Sequence, residues 1–263
     1  MSDDAKSGCA ESACAVSGGA ESRFVAGVDG CPGGWAVVLA HRDGAVPPRL
    51  LRVGSFGEIL ALPEAPAVIA VDMPIGLPDR VGARGRDTER EVRPLLGMRQ
   101  SSVFSVPSRP AVMESGDDYP LACRLARETS DPPRAVAKQC FHLFPKIREI
   151  DALMSPALEA RVYEVHPEVA FWRLAGGQAM RLPKKVKGSP NPAGLAERQD
   201  LLASLGFPPT LFAPPRPRTV GWDDAVDAAA SAAIALRIAR GEARPFPDPP
   251  PRDGRGLRMA IWA

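Results

Sequence analysis

FVAGVDGCPGGWAVVLA, residues 24–40, decides how the chain is read. Residues 24–28 form an apolar run that ends at Asp29, the pattern of a short buried strand. The breaker-rich stretch 30–34 is a turn, and 35–40 reads as a second strand, so the two make a hairpin. Working outward, 50–53 is a third strand. Ser55 then caps a short helix reaching Leu62, with Glu58 placed three residues on as in a capping box. Residues 67–71 (AVIAV) are another apolar run, and it too ends in an aspartate, Asp72. Pro74, Gly76 and Pro78 stop regular structure there. Residues 79–160 are Arg-rich and helical in character, with helices expected over 88–96, 119–129 and 144–154. They read as an insertion, because 161–165 resumes the strand pattern. A helix over 169–174 follows, then a basic, proline-bearing loop at 182–192 and a helix over 193–205 stopped by Gly206. The linker 207–220 carries five prolines. The last helix, 223–240, has acids in its first turn, Arg237 and Arg240 in its last, and Gly241 as its stop. A proline-rich tail (about 243–256) leads to an edge strand at 257–262. Strands first, with helices inserted and appended, imply an α/β fold: one mixed central sheet flanked by helices, with a helical insertion. Residues 1–22, rich in Ala, Ser, Gly and Glu without periodicity, read as a disordered leader to a single domain at 23–263.

Composition sets bounds on function. The 263 residues carry 33 Lys+Arg and 31 Asp+Glu, a net charge of +2, which by itself points to no polyanion or membrane surface. No apolar stretch is long enough to span a bilayer, and the acidic, polar start lacks the pattern of a secretory signal. The five cysteines (Cys9, Cys14, Cys31, Cys123, Cys140) are odd in number and contain no CxxC pair, which speaks against zinc and against a disulfide framework. A reduced, cytoplasmic enzyme is the expectation. There are 29 prolines, about twice the usual share.

The chemistry lies in carboxylates at the ends of strands. Asp29 and Asp72 each close an apolar run where the chain turns away, the position at which α/β proteins face their ligand crevice. Each also suits a simple turn or cap. In WDDAVDAAASAA (222–233), Asp224 and Asp227 are three apart on one helix face. Asp223 and Asp224 suit a helix start, whereas Asp227 falls in line with Ala230, Ile234 and Ile238, where a carboxylate is costly unless paired or metal-bound. Glu164, in YEVHPE, alternates with Tyr163 and is expected to point into the crevice of Asp29, with His166 at the strand end. Clustered carboxylates repel one another, and a hard divalent cation, Mg²⁺ or Mn²⁺, resolves the repulsion. A two-cation site requires Asp29, Asp72, Glu164 and Asp227 to converge within about 5 Å. No Walker loop, GxGxxG or GxSxG is present.

GVDGCPGGW (27–35), VDMPIGLPD (71–79), RQSSVFSVPSR (99–109), YEVHPE (163–168) and DDAVDAAASA (223–232), in register, resemble the predicted RNase H-like nuclease family catalogued as domain of unknown function 429. The resemblance implies an RNase H-like fold. Through the wider likeness to RuvC-type resolvases it implies that Asp29, Asp72, Asp224 and Asp227 match metal-binding acids, Glu164 being an extra acid. The long insert and the DxP setting of Asp72 depart from that pattern. Lys and Arg are locally dense: seven Arg from 80 to 109, and Arg181, Lys184, Lys185, Lys187 and Arg198 against Glu197. Arg99, Arg109, His166, Lys184, Lys185 and Lys187 are the candidate substrate contacts, holding phosphates while the acids hold metal. The expected function is a metal-dependent nuclease acting on DNA or RNA. The alternatives are a Mg²⁺-dependent phosphohydrolase or phosphotransferase on a small phosphorylated molecule, and an inactive binding protein.

Overall fold

The computed structural model describes residues 22–83 and 85–263; all of the expected leader except Ser22 lies outside them. β1 (Phe24–Cys31) and β2 (Gly34–His41) form the antiparallel hairpin, closed over Pro32 and Gly33, whose φ of +69° suits glycine. β3 (Arg49–Val53) adds antiparallel to β2. Helix α1 (Phe56–Leu60) starts as expected: Ser55 Oγ accepts the Glu58 N–H, and the Glu58 carboxylate accepts the Gly54 N–H. β4 (Val68–Val71) pairs parallel to β1.

The inserted segment holds α2 (Asp87–Val92), a 3-10 stretch Arg93–Ser102, α3 (Arg109–Met113), α4 (Tyr119–Glu128), α5 (Lys138–Phe141) and α6 (Phe144–Leu153). The helix expected over 88–96 ends early as an α-helix: Arg93 is still helical, but Pro94 has no N–H with which to continue the ladder. β5 (Val162–Glu164) then pairs parallel to β4, completing a five-stranded mixed sheet of order β3-β2-β1-β4-β5. After α7 (Pro167–Leu174), the basic loop folds into a tight hairpin of β6 (Lys185–Val186) and β7 (Ser189–Pro190). α8 (Pro192–Ser204) and α9 (Trp222–Ala239) follow. The tail departs from expectation: β9 (Ile261–Trp262) pairs with β8 (Pro245–Phe246) in a separate two-stranded sheet, not with the edge of the main one.

Alternation along the strands divides the core. Val25, Val68, Ala70 and Val165 face α7, α8 and α9. Ala26, Val28, Ile69, Val71 and Val162 face α1 and the insert, where Phe144, Ile147 and Ile150 are buried. The insert therefore covers one face of the sheet. On the other face, α9 lies directly on β1. A Cβ at Gly27 would stand 2.0 Å from the Ala232 nitrogen and 2.1 Å from the Ala228 carbonyl oxygen, so only glycine lets the helix come this close. The alanines of α9 serve the same approach. Every residue from Ala225 to Ala235 is buried, because α9 is covered by the sheet on one side and by neighbours such as Phe171 and Leu202 on the other. No helix among the described residues is long and apolar enough to cross a membrane.

Candidate active site

Asp72 follows the last residue of β4, whereas Asp29 lies inside β1, which stays paired with β2 as far as Cys31 instead of ending at the aspartate as expected; the two acids stand level where the parallel pairing of β1 and β4 stops. Val28 is in register with Val71, and the Asp72 N–H donates to the Val28 carbonyl at 2.9 Å. One residue further on, both carboxylates belong to the α9 face of the sheet. There α9 presents Asp227, just inside its first turns. The three line a single cavity of about 510 Å³ together with Lys184, Lys185, Asp223 and Asp224. Asp227 is only 4% exposed. One of its oxygens, Oδ2, accepts the Lys184 ammonium, and the other, Oδ1, is buried with no hydrogen-bond partner. Asp223 pairs with Lys185 at 2.6 Å, and Asp224 accepts the Gly221 N–H at 2.9 Å, closing the start of α9.

The electrostatics follow from burial with too little positive charge. Burial raises the Asp29 carboxyl well above its ordinary value, and Asp227 and Asp72 add to the shift. Burial, then Asp227, pushes Asp72 up to about 7, with Lys184 opposing. Asp227 is raised by burial while Lys184 pulls it down. Burial works to lower the Lys184 pKa, but Asp227 and Asp29 outweigh it and hold the ammonium above its usual range.

Glu164 takes the other side. It is level with Val71 on β5, so its side chain belongs to the insert face, opposite Asp29 and Asp72. Its carboxylate nevertheless lines the same cavity as Asp29. Both its oxygens are engaged. Arg86 donates to Oε1 at 2.5 Å and to Oε2 at 3.0 Å, and the Ile75 N–H donates to Oε2 at 2.8 Å. Arg86 also holds Glu89 at 2.7 Å and the carbonyls of Ile75 and Gly76. Burial pushes Glu164 up to about 7 against the pull of Arg86.

A family model described as "Protein of unknown function (DUF429)" matches residues 27–252. The chain belongs to the DUF429 family. Comparison with curated proteins and with solved structures gives no match. The matched span of this DUF429 protein includes every acid that lines the cavity.

Other expected site residues divide. His166 lines the cavity, with Nε2 3.3 Å from the Ser102 carbonyl and Nδ1 unpartnered. Burial drives its pKa down to about 4, so the ring is neutral at pH 7, and donation from Nε2 leaves Nδ1 as an acceptor. Lys184 and Lys185 are in the cavity but are already held by acids. Arg99, Arg109 and Lys187 are not among the lining residues. Arg109 bonds Asp151 at 2.9 and 3.0 Å and Asp253 at 2.7 Å, tying the insert to the returning tail. Lys187 sits exposed at the hairpin tip.

Several cavity residues carried no sequence signal. Arg86 and Glu89, three apart, look like an ordinary surface helix pair; nothing local announces burial. Lys146 approaches Asp29 through α6, bonding the Gly34 carbonyl at 2.5 Å and lying 4.1 Å from the centre of the Trp35 ring. Ser101, Ser102 and Phe104 wall the cavity from within RQSSVF, the motif whose chemistry was least legible.

The cation question turns on the donor set. Among the described residues, no three His, Cys, Asp or Glu side chains stand as a group ready to grip an ion. Asp29, Asp72, Glu164 and Asp227 do not form the four-acid cage that two cations require, since Arg86 holds Glu164 on the other face. Asp29, Asp72 and Asp227 offer oxygens only, and Asp227 Oδ1 is buried without a partner.

Proposed function

We propose that this DUF429 protein is a divalent-cation-dependent phosphodiesterase, a nuclease built on an RNase H-like sheet. The observation that carries the reading is the trio Asp29, Asp72 and Asp227, brought into one cavity from β1, the end of β4 and the first turns of α9, with Asp227 buried and paired to Lys184. The strand order β3-β2-β1-β4-β5, antiparallel over the first three strands and parallel thereafter, supports the RNase H-like part. The acids within β1, after β4 and near the start of α9 support the likeness to resolvases.

Asp29, Asp72 and Asp227 would hold Mg²⁺ or Mn²⁺. When bound, the cation supplies Lewis-acid polarisation of the phosphoryl group and offsets its growing charge. The remaining roles belong to the chain. Lys185, exposed on its hairpin, and Lys146, on α6, bring positive charge to the rim for phosphate oxygens. Neutral His166 offers Nδ1 as an acceptor to orient a hydroxyl or water proton. The insert residues Phe104, Leu143 and Ile147 form an apolar wall that limits water.

That wall also favours a second reading. A cavity of about 510 Å³ has the size of a small-molecule site, so a small phosphate ester is the rival substrate. The test is Mn²⁺-dependent turnover on labelled single- and double-stranded DNA and RNA, run beside phosphate release from a nucleotide panel. Asp29→Asn is expected to abolish whichever activity is found while leaving the fold intact. Full activity in that variant would defeat the mechanism.

A further inference from the structure

A second hollow lies across one short segment of the insert from the acid cavity. Val103 leaves the 3-10 stretch in an extended conformation, and the side chains around it alternate between the two hollows. Ser102, Phe104 and Val106 line the acid cavity, whereas Val103 and Ser105 line the other. Where the segment begins, exposed Gln100 lines the second hollow and exposed Ser101 the first, so the two hollows meet across a single peptide link.

The second hollow, of about 360 Å³, carries the opposite charge. Arg90 on α2, Arg93 at the start of the 3-10 stretch and Arg134 from the loop before α5 converge on it, and no Asp or Glu is among its described lining residues. The acids nearby are placed outside it. Asp87 meets Arg90 at 2.9 Å, but both side chains are at least half exposed, so water screens the pair. Glu89 lies close enough to Arg93 to feel its charge, yet its carboxylate is held by Arg86. Glu91 and Asp131 are exposed and not in the lining. Arg93 is aimed by neutral acceptors: Nε donates to the Val103 carbonyl and Nη2 to the Ser105 hydroxyl, each at 3.0 Å. Three guanidiniums gathered in one hollow repel one another, and a bound anion relieves the repulsion. Phosphate suits them, because planar guanidinium forks match its oxygens.

We infer that the arginine hollow is a subsite for a backbone phosphate of a polynucleotide strand that also enters the acid cavity. The inference rests on the phosphodiesterase reading of that cavity, and it names the substrate as a linear polyanion instead of a small phosphate ester. A small ester that fills the acid cavity has no need of Arg134, whereas a strand lying over Gln100 and Ser101 meets both hollows. Contacts of this kind add affinity and position the strand without reading its sequence.

The test is fluorescence-anisotropy binding of a labelled single strand of about twelve thymidines to the full chain in EDTA, over a range of salt. Mn²⁺-dependent hydrolysis of bis(p-nitrophenyl) phosphate is measured separately. The double variant Arg90→Gln/Arg134→Gln leaves Arg93, which braces Val103 and Ser105, in place. It is expected to bind the strand at least about tenfold more weakly, to lower the slope of log K against log salt by about 1.4, and to hydrolyse the small ester like the wild type. Unchanged strand affinity in the folded double variant would overturn the inference, as would a thymidine dinucleotide bound by the wild type as tightly as the long strand. An equal loss of ester hydrolysis would overturn it too, since the arginines would then act through the acid cavity. A wild type that hydrolyses the ester but binds no strand overturns the inference and leaves the phosphodiesterase reading standing. A wild type that binds the strand through these arginines yet hydrolyses neither strand nor ester defeats that reading and keeps the subsite. The dependence of wild-type affinity on strand length decides the matter even if the variant does not fold.

Discussion

Two clusters of charge lie at the same end of one sheet, on its opposite faces. On the insert face, Arg86 sits between Glu89 and Glu164, and its donors and both Glu164 oxygens are used. On the α9 face, Asp29, Asp72 and Asp227 have Lys184 among them and Lys146 beside Asp29, and Asp227 Oδ1 has no partner. The first cluster spends its charge internally and locks the insert to β5. The second keeps a buried oxygen, Asp227 Oδ1, that nothing among the described residues satisfies. A buried pair with its hydrogen bonds made is architecture, whereas under-compensated carboxylates are tolerated where a ligand completes them.

The comparison breaks most visibly at Arg86. Arg86→Met leaves two glutamates buried without a partner and is expected to cost about 3–5 kcal/mol, read as a lowered urea midpoint. The acid trio predicts the opposite sign. Because Asp72 is raised from 3.8 to about 7 in the folded chain, the native state binds the proton that the unfolded state releases between those values. Without divalent cations, stability should therefore fall as pH rises from about 4 to 7 and level off above. Asp72→Asn should flatten that part of the profile and stabilise the protein at pH 8 by only roughly 2 kcal/mol, because Asp72 is partly exposed and water screens its charge. Thermal unfolding across pH measures both effects. A destabilised Asp72→Asn would place the trio in the architectural class. The smallest effect belongs to Lys187. It is exposed and outside the cavity, so Lys187→Ala should shift stability by less than about 0.5 kcal/mol and leave Mn²⁺ binding unchanged in calorimetry.

Those contrasts show which parts of the molecule could be read in advance. β1, β2 and β4 were legible because apolar runs bounded by Gly and Pro leave few alternatives, and Asp29 and Asp72 stood out by ending such runs. Helix α9 was legible from its caps, and Asp227 from its place among alanines. The face taken by Glu164 was not. Alternation separates it from Tyr163 but does not say which of the two points toward α9; that depends on the register with β4, a non-local property. The Arg86–Glu164 bond spans 78 residues of sequence, and Arg109 reaches Asp253 over 144. Such pairings are set by the packing of the insert and have no local pattern. The tail misled for a similar reason. Its prolines resemble a linker, yet buried Asp253 accepts the N–H groups of Leu77, Arg255 and Leu257, fixing the tail against the turn that follows Asp72. The sequence marks Lys184 as a candidate phosphate contact, but its approach to Asp227 depends on the hairpin that the basic loop forms.

The central claim is that the α9-face acids are completed by a cation. Its most direct test is thermal unfolding of the wild type and of Asp227→Asn at pH 8, each with and without millimolar Mn²⁺. The account predicts a rise of several degrees for the wild type, since a ligand at about 100 times its Kd adds about 2.7 kcal/mol, and little or no rise for the variant. A wild-type melting temperature that Mn²⁺ does not move would contradict it.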